Sequence, residues 1–133
     1  PLAFIHKTRD PLVPNQVKSN RVVGDVEGRT CVLIDDMIDT AGTICQAAEL
    51  LIERGARTVT AAATHGVFSG PAIDRIKNSV LERVVITNTL PLPPEKQIDK
   101  IEVLSAAGII ADAIDAVFED TSVSDIFDGQ NQH

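Results

Sequence analysis

The fold is decided by residues 32–43, which read Val-Leu-Ile-Asp-Asp-Met-Ile-Asp-Thr-Ala-Gly-Thr. The first three residues are apolar at consecutive positions, which is typical of a strand covered on both faces in a parallel sheet. Apolar side chains then recur at helical spacing from Ile44 to Ile52. The stretch therefore predicts a strand, a loop and a helix, in the order that open α/β sheets use to build ligand sites.

Strands and helices alternate downstream of this stretch. Gly55 predicts the end of the first helix, and residues 69–78, which begin Ser-Gly-Pro, predict a short second helix. Ser105 predicts the N-cap of a last helix that reaches about residue 119. The apolar face of that helix consists of Ile110, Ile114 and Phe118. The apolar runs predict three further strands, at residues 57–64, 83–87 and 101–104.

Upstream, residues 2–9 predict a strand that turns polar at its end, and the prolines at positions 11 and 14 predict a loop of about ten residues. Residues 21–26 and 30–34 predict a hairpin around Glu27-Gly28. A length of 133 residues allows one domain. The whole pattern predicts an α/β fold, with a mostly parallel sheet flanked by helices and a small hairpin.

Composition and charge exclude several classes of function. The chain has 12 Lys and Arg against 19 Asp and Glu, a net charge of −7, so we expect no nucleic acid polymer and no anionic membrane as partner. With four Phe and no Trp or Tyr, it lacks platforms on which single-stranded bases stack. No apolar run approaches the ~20 residues that span a bilayer. Cys31 and Cys45 fit neither a zinc site nor a disulfide scaffold, which predicts core cysteines in a reducing cytoplasm.

The second half of the quoted stretch has the features of a phosphate site. Residues 39–43 offer backbone N–H groups, the hydroxyls of Thr40 and Thr43, and the close approach that Gly42 permits. Asp39 and Ala41 complete this segment, which opens a helix at the positive end of its dipole. The segment lacks the lysine of a nucleoside-triphosphate P-loop, so amides and hydroxyls must hold the anion.

Asp35 and Asp36 suit a different part of the same ligand. Carboxylates accept hydrogen bonds from vicinal hydroxyls and can help to place Mg²⁺. Taken alone, this pair is best interpreted as a strand end, and residues 39–43 alone as a helix N-cap. Together they occur in the order that builds one site, which favours a sugar phosphate.

Residues 34–43 resemble the phosphoribosyl-diphosphate-binding signature of the type I phosphoribosyltransferase fold, in the version found in the ribose-phosphate pyrophosphokinase family. Residues 4–9, with Asn15 and Val17, resemble that family's catalytic flexible loop. Residues 64–72 and the tail around Ser122 and Ser124 also resemble the corresponding family segments, so the resemblance covers nearly the whole chain.

The resemblance implies transfer of the diphosphoryl group of ATP to the C1 hydroxyl of ribose 5-phosphate, with Mg²⁺, in a homo-oligomer that is a hexamer built from dimers. It implies that residues 1–133 are the C-terminal, ribose 5-phosphate-binding half, that residues 1–20 include the flexible loop, and that the N-terminal half is absent, so that the fragment alone is inactive. It places the adenine pocket and a metal-binding histidine in that half, which leaves no metal ligand assigned with certainty in this chain. It also implies a regulatory site near Ser122 and Ser124.

Lys7 and Arg9 support this chemistry, because they lie two residues apart in an extended segment and would point the same way. Paired cations can neutralise the oxygens of a phosphoryl group in transfer. Alone, the pair would be interpreted as a solvated strand end. Beside a sugar-phosphate segment we interpret it as catalytic, next to a loop at residues 10–15 that closes over ATP and excludes water.

Weaker candidates and two alternative functions remain. His65 is best interpreted as a hydrogen-bonded structural histidine, although it could lie near a nucleotide, and His6 as a residue that orders the loop. A phosphoribosyltransferase that consumes the diphosphate would share residues 35–43 without needing the Lys-Arg pair. A non-catalytic regulatory relative would be expected to have lost that pair, which is present here.

Overall fold

A computed structural model describes residues 2–9 and 17–127 of the chain. Within them the chain forms a series of strands and helices that alternate from β3 onward. Their bounds are β1 Phe4–Arg9, β2 Val17–Val23, β3 Thr30–Ile38, α1 Gly42–Glu53, β4 Thr58–Gly66, α2 Ala72–Asn78, β5 Arg83–Thr87, β6 Ile101–Leu104 and α3 Ala107–Phe118, with short 3-10 helices at Pro94–Lys96 and Val123–Phe127. No helix of the described residues has the length and apolar character needed to cross a membrane.

The chain divides into two compact units, Pro1–Val103 and Leu104–His133. The first contains both sheets and the helices α1 and α2. In the second, α3 packs against the 3-10 helix that follows it, and the backbone N–H of Thr121 donates to the carbonyl of Ala116 over 2.9 Å. The candidate site described below lies wholly in the first unit.

The main sheet has the strand order β3-β4-β5-β6, and β3, β4 and β5 run parallel. The register of β3 on β4 runs from Thr30 opposite Thr58 to Ile38 opposite Gly66. Because parallel strands end at the same edge, this register brings the last residues of β3 beside the last residues of β4. That edge is where ligands bind in open α/β sheets.

The core lies between this sheet and the helices α1 and α2. Helix α1 contacts β3, β4 and α2, and its inward face is apolar. The largest fully buried side chains belong to the sheet, α2 and the connections between them, and they are Phe68, Ile76, Leu81, Ile86, Val59 and Val84. This packing fixes the directions in which the loops leave the carboxyl edge of the sheet.

The opposite face of β3 is uncovered, which corrects the prediction of a strand buried on both sides. Val32 is 57% exposed and Ile34 is 83% exposed. The physical reason is that the helices of the first unit pack on the other face, which carries the half-buried Cys31 and Leu33. Consecutive apolar residues therefore indicated the character of the strand but not its surroundings.

The predicted hairpin between residues 21–26 and 30–34 was wrong. Instead β2 pairs antiparallel with β1, from Phe4 opposite Val23 to Arg9 opposite Val17. The turn after β2 bonds to the connection between α1 and β4, since Gly28 N–H donates to the Gly55 carbonyl over 2.7 Å. This bond lies just before β3 and helps to direct that strand into the parallel sheet. Strand β2 begins within the segment that the sequence predicted as a loop.

Several element boundaries were predicted correctly. The strands β5 and β6 have the predicted bounds, and Gly55 follows α1 in a left-handed conformation with φ 87°. Ser105 contributes to the start of α3, because its Oγ accepts from Ala107 N–H over 3.2 Å, although Ala106 occupies the cap position. The apolar face predicted for α3 is exposed, with Phe118 at 85%.

Candidate functional site

A single continuous segment forms a cavity at the carboxyl edge of the sheet. Its volume is about 220 Å³, and it is lined by every residue from 35 to 44 and by no other residue of the described ranges. Strand β3 extends to Ile38, four residues beyond its predicted end, so Asp35 and Asp36 belong to the strand. The structure therefore brings the predicted carboxylates and the predicted phosphate segment together around one space.

The two carboxylates of this cavity are oriented by the backbone. Asp36 N–H donates to Asp35 Oδ1 over 2.9 Å, and Met37 N–H donates to Asp36 Oδ1 over 2.8 Å. Both side chains are exposed. Each carboxylate keeps its second oxygen free of any bond to the described residues, and this oxygen can accept a hydroxyl proton or contact a cation.

The β3–α1 loop, residues 39–41, leads into the first turn of α1, where backbone N–H groups lack partners among the described residues. Ala41 adopts a left-handed conformation with φ 60° and is 4% exposed, and Gly42 begins the helix. A left-handed residue followed by a helical one brings successive N–H groups into a concave cluster that suits an anion. The N–H groups of Gly42, Thr43 and Ile44 have no acceptor in the described part of the chain.

The β4–α2 loop, residues 67–71, supports the β3–α1 loop from behind. Val67 and Phe68 N–H groups donate to the Ile38 carbonyl over 3.0 and 3.1 Å, and Ser69 N–H donates to the Asp39 carbonyl over 3.0 Å. The sequence resemblance included residues 64–72 but gave no role to residues 67–71. Its backbone fixes the point at which β3 turns into the loop.

Helix α2 adds a side chain to this support. Arg75 Nη1 donates to the Thr40 carbonyl over 2.9 Å, and a Cβ placed on Gly42 would lie 3.2 Å from the same nitrogen. Sequence reasoning missed Arg75, because an exposed arginine on a short helix carries no local signal. Its distance of 35 residues from Thr40 in the chain explains why no motif contained both.

Close packing holds the β4–α2 loop in place. A Cβ on Gly66 would approach Ile86 Cδ1 to 2.6 Å and Phe68 Cε2 to 2.7 Å, distances at which atoms overlap. Phe68 is fully buried and has a positive φ of 51°, a conformation that is uncommon for a bulky residue. Buried packing thus maintains a strained backbone directly behind the candidate site.

His65 is hydrogen-bonded within the protein, which confirms its interpretation as a structural histidine. Its Nδ1 lies 2.8 Å from Thr89 Oγ1. Thr87 and Thr89 hydroxyls in turn donate to the Thr64 carbonyl over 2.8 and 3.2 Å. This network connects the ends of β4 and β5 at the same edge of the sheet.

Comparison with known proteins identifies the family. The model of the phosphoribosyl synthetase-associated domain matches residues 5–128, which include the whole cavity. The chain belongs to this family. The match spans both compact units and all the elements that build the site.

The chain is similar to members of this family over its full length. It is 57% identical over 133 residues to a ribose-phosphate pyrophosphokinase of Bifidobacterium longum, covering 100% of the chain and 39% of that protein. It is 60% identical over 129 residues to the Mycobacterium tuberculosis protein of the same name, covering 97% of the chain and 40% of that protein. The chain therefore spans about two fifths of the length of these relatives.

A solved structure agrees with the fold. Phosphoribosylpyrophosphate synthetase from Mycobacterium smegmatis superposes with a TM-score of 0.78 at 52% sequence identity. The superposition covers 90% of this chain and 37% of that one. It supports the predicted fold class, a phosphoribosyltransferase-like, mostly parallel sheet flanked by helices.

The other predicted site residues lie outside the segment 35–44 that lines the cavity. Lys7 and Arg9 are in β1, where their backbones pair with Asn20 and Val17. Their side chains, and the predicted mobile segment at residues 10–15, lie outside the described part of the structure. Their roles stay predictions.

Ser122 and Ser124 belong to the second compact unit. Their hydroxyl oxygens are hydrogen-bonded to each other. Both stay predictions as regulatory residues, because nothing among the described residues adds a cationic partner to them.

The described residues contain no group of three or more His, Cys, Asp or Glu side chains that could hold a metal ion by themselves. Magnesium, however, commonly binds one or two carboxylates together with substrate phosphates and water. The free oxygens of Asp35 and Asp36 fit that donor set at the mouth of the cavity.

The two cysteines are free thiols. Cys45 is buried in the core of α1, and burial raises the pKa of its thiol above the usual range. Cys31 is half-buried in β3 beneath the same helix. This agrees with their predicted role as small core residues, and neither lines the cavity at residues 35–44.

Proposed function

We propose that the complete protein transfers the diphosphoryl group of ATP to the C1 hydroxyl of ribose 5-phosphate, giving 5-phosphoribosyl 1-diphosphate and AMP. The observation that carries the proposal is the cavity formed by residues 35–44, in which two oriented carboxylates lie beside a cluster of free N–H groups. The names of the full-length relatives support the same reaction.

Residues 35–43 bind the acceptor sugar in this proposal. The N–H groups of Gly42 and Thr43, with the hydroxyls of Thr40 and Thr43, hold the 5-phosphate at the positive end of α1. Asp35 and Asp36 accept hydrogen bonds from the ribose hydroxyls. Asp39 and Ala41 shape the loop between these two groups. The sugar is then held at both ends, which fixes the position of its C1 hydroxyl.

Lys7 and Arg9 act on the transferred group. The C1 oxygen forms a bond to the β-phosphorus of ATP and gives up its proton to water, while the bond from that phosphorus to the α-phosphate oxygen breaks and AMP leaves with that oxygen. Negative charge on the oxygens around the β-phosphorus is stabilised by the two cations, which is the main form of catalysis in phosphoryl transfer. Mg²⁺, when bound at Asp35 and Asp36, supplies further neutralisation of phosphate charge.

The proposal extends to the organisation of the protein. The chain is the C-terminal, ribose 5-phosphate-binding half of the enzyme, with the catalytic loop in residues 1–20. The complete protein works in the cytoplasm as a homo-oligomer, a hexamer by resemblance to the family. The free state of both cysteines is consistent with a reducing compartment.

Substitution of Lys7 or Arg9 tests the reaction. In the complete protein, Lys7→Ala and Arg9→Ala should each lower the rate of AMP formation by about 10³-fold, because cations of this kind supply about that factor in phosphoryl transfer. The dissociation constant of ribose 5-phosphate should stay unchanged, since residues 35–43 hold that substrate. Initial rates and isothermal titration calorimetry measure the two quantities.

Lys77→Ala is the control, because it removes an exposed cation that belongs to the same compact unit and lies outside both the catalytic loop and the cavity. It should leave the rate within about twofold of the unsubstituted protein. Near-normal turnover in Lys7→Ala and Arg9→Ala would contradict the proposal. Turnover that requires a nucleobase and 5-phosphoribosyl 1-diphosphate would favour a phosphoribosyltransferase, and binding of ribose 5-phosphate without any turnover would favour a regulatory relative.

A further inference from the structure

Three consecutive backbone carbonyls at the start of the β3–α1 loop are all held by the segment that follows β4. Backbone N–H groups hold the carbonyls of Ile38 and Asp39, and a side chain, that of Arg75, holds the carbonyl of Thr40. We infer that Arg75 is a positioning residue, which orients the N–H groups of this loop toward the substrate phosphate. For the identity of that ligand the inference rests on the proposed function.

The planarity of the peptide bond explains how a bond to a carbonyl controls an N–H group. In a trans peptide the C=O and the following N–H point in opposite directions. Arg75 draws the Thr40 carbonyl toward α2 over 2.9 Å, so the N–H of Ala41 points away from α2. The bond from Ser69 to the Asp39 carbonyl orients the N–H of Thr40 in the same way.

The contact with Gly42 places the guanidinium directly behind the loop. A Cβ at Gly42 would lie 3.2 Å from Arg75 Nη1 and 3.8 Å from Cζ. The absent side chain therefore gives the guanidinium room to reach the Thr40 carbonyl. On the other side of the same residue the N–H groups of Gly42 and Thr43 are free of partners in the described part of the chain.

The charge of Arg75 adds to this orientation. Arginine stays protonated at all physiological pH values, and a charged donor polarises the peptide group that accepts its bond. Among the described residues Arg75 forms no ion pair, whereas Arg29 pairs with Asp25 and Arg83 pairs with Glu102. Its positive charge is therefore available to an anion bound at the loop.

The exposed position of Arg75 means that its positioning role can be tested without unfolding the protein. Its side chain is exposed, while α2 is anchored by the fully buried Ala72 and Ile76. The backbone bonds from Val67 to Ser69 remain when the side chain is changed. Loss of the guanidinium should therefore alter the loop without unfolding the protein.

The test compares Arg75→Gln with Lys77→Gln in the complete protein. Both variants remove one positive charge from α2, but the Lys77 side chain is exposed and bonds to no described residue. Arg75→Gln should weaken ribose 5-phosphate binding about tenfold, as expected for loss of one charged hydrogen bond. The KM for ATP should stay within about twofold, and Lys77→Gln should change neither constant.

Arg75→Lys keeps the charge and should recover part of the affinity, while the melting temperatures of all three variants agree within about 2 °C. Equal ribose 5-phosphate affinity in Arg75→Gln and Lys77→Gln would overturn the inference. A lowered melting temperature with parallel changes for ATP and ribose 5-phosphate would also overturn it, because such changes indicate a structural role.

Amide hydrogen exchange separates failure of this inference from failure of the proposed function. If the unsubstituted protein neither binds ribose 5-phosphate nor forms AMP, the proposed function fails. In that case faster exchange at Cys45 and Ser69, whose N–H groups bond to the loop carbonyls of Ala41 and Asp39, in Arg75→Gln than in Lys77→Gln would still support the positioning role. Equal exchange in the two variants would overturn it.

Discussion

Two loops leave the carboxyl edge of the parallel sheet, and their backbone N–H groups have different partners. In the β4–α2 loop, the N–H groups of residues 67–69 all bond to the carbonyls of Ile38, at the end of β3, and Asp39, at the start of the β3–α1 loop. Where the β3–α1 loop enters α1, the N–H groups of Gly42 and Thr43 bond to nothing in the described part of the chain. One loop is thus a support, and the other is a surface open to a ligand.

The burial of the residues around the two loops also differs. Gly66 and Phe68 of the supporting side are surrounded by core atoms, and Phe68 is fully buried. Asp35 and Asp36 of the ligand side are exposed. Substitutions in the β4–α2 loop and its packing should therefore reduce stability, whereas substitutions at the cavity should reduce affinity and leave stability unchanged.

The largest expected effect concerns the support. Gly66→Ala would place a methyl group 2.6 Å from Ile86 Cδ1 and 2.7 Å from Phe68 Cε2, so it should lower the free energy of unfolding by about 3 kcal/mol. Urea denaturation of the complete protein, followed by circular dichroism, measures this quantity.

Gly70→Ala is the control within the same connection. It meets no atom within 4 Å, but its φ of +53° disfavours a side chain, so we expect a loss of about 1 kcal/mol. Equal losses of unfolding free energy in the two variants would show that packing does not hold the β4–α2 loop, and would contradict its role as a support.

A smaller effect, on affinity, is expected on the ligand side. Asp35→Asn and Asp36→Asn each remove a charged acceptor and should weaken ribose 5-phosphate binding by about 2 kcal/mol, or roughly 30-fold. The free energy of unfolding should change by less than about 0.5 kcal/mol, since both side chains are exposed. Calorimetric titration and urea denaturation provide the two numbers.

Asp99→Asn serves as the control, because it removes an exposed carboxylate that belongs to the same compact unit and lies outside the cavity. It should leave both quantities unchanged. A loss of stability in the Asp35 or Asp36 variant that equals the loss of affinity would assign these carboxylates to the support instead.

The smallest effect is expected at Gly42, which lies beside the Arg75 side chain of α2. Gly42→Ala should displace the flexible end of Arg75 and weaken ribose 5-phosphate binding by about 1 kcal/mol, or roughly fivefold. Because alanine is the better helix former, the free energy of unfolding should stay constant or rise by up to about 1 kcal/mol. A loss of affinity without a loss of stability distinguishes this effect from a general destabilisation of the protein.

A double-mutant cycle measures the coupling at this position. If Gly42→Ala acts through Arg75, the same substitution in an Arg75→Gln background should have little further effect on affinity. Additive losses of affinity would indicate that the methyl group at position 42 weakens binding without acting through Arg75.

The sequence predicted those parts of the fold that depend on local signals. The bounds of β5 and the end of α1 at Gly55 followed from apolar runs and a glycine, both of which act over a few residues. The cavity could be predicted for the same reason, because all of its lining lies between residues 35 and 44. A site that is continuous along the chain is one that a local pattern can indicate as a whole.

The errors concern partners that are distant in the chain. Alternation in residues 21–26 indicated a strand but could not show that its partner is β1 rather than β3. Arg75 was missed because its bond to Thr40 crosses 35 residues and depends on the packing of α2. Tertiary geometry decides such pairings, and no local pattern reports it.

The exposed face of β3 has a consequence for work with the isolated chain. Val32 and Ile34 lie on an apolar strip, and β3 is the terminal strand of its sheet among the described residues, so its outer edge offers unpaired backbone groups. Open strand edges and apolar surface are the two features that promote association between sheets. We therefore expect a sample of these 133 residues alone to associate through β3, to an extent that rises with protein concentration.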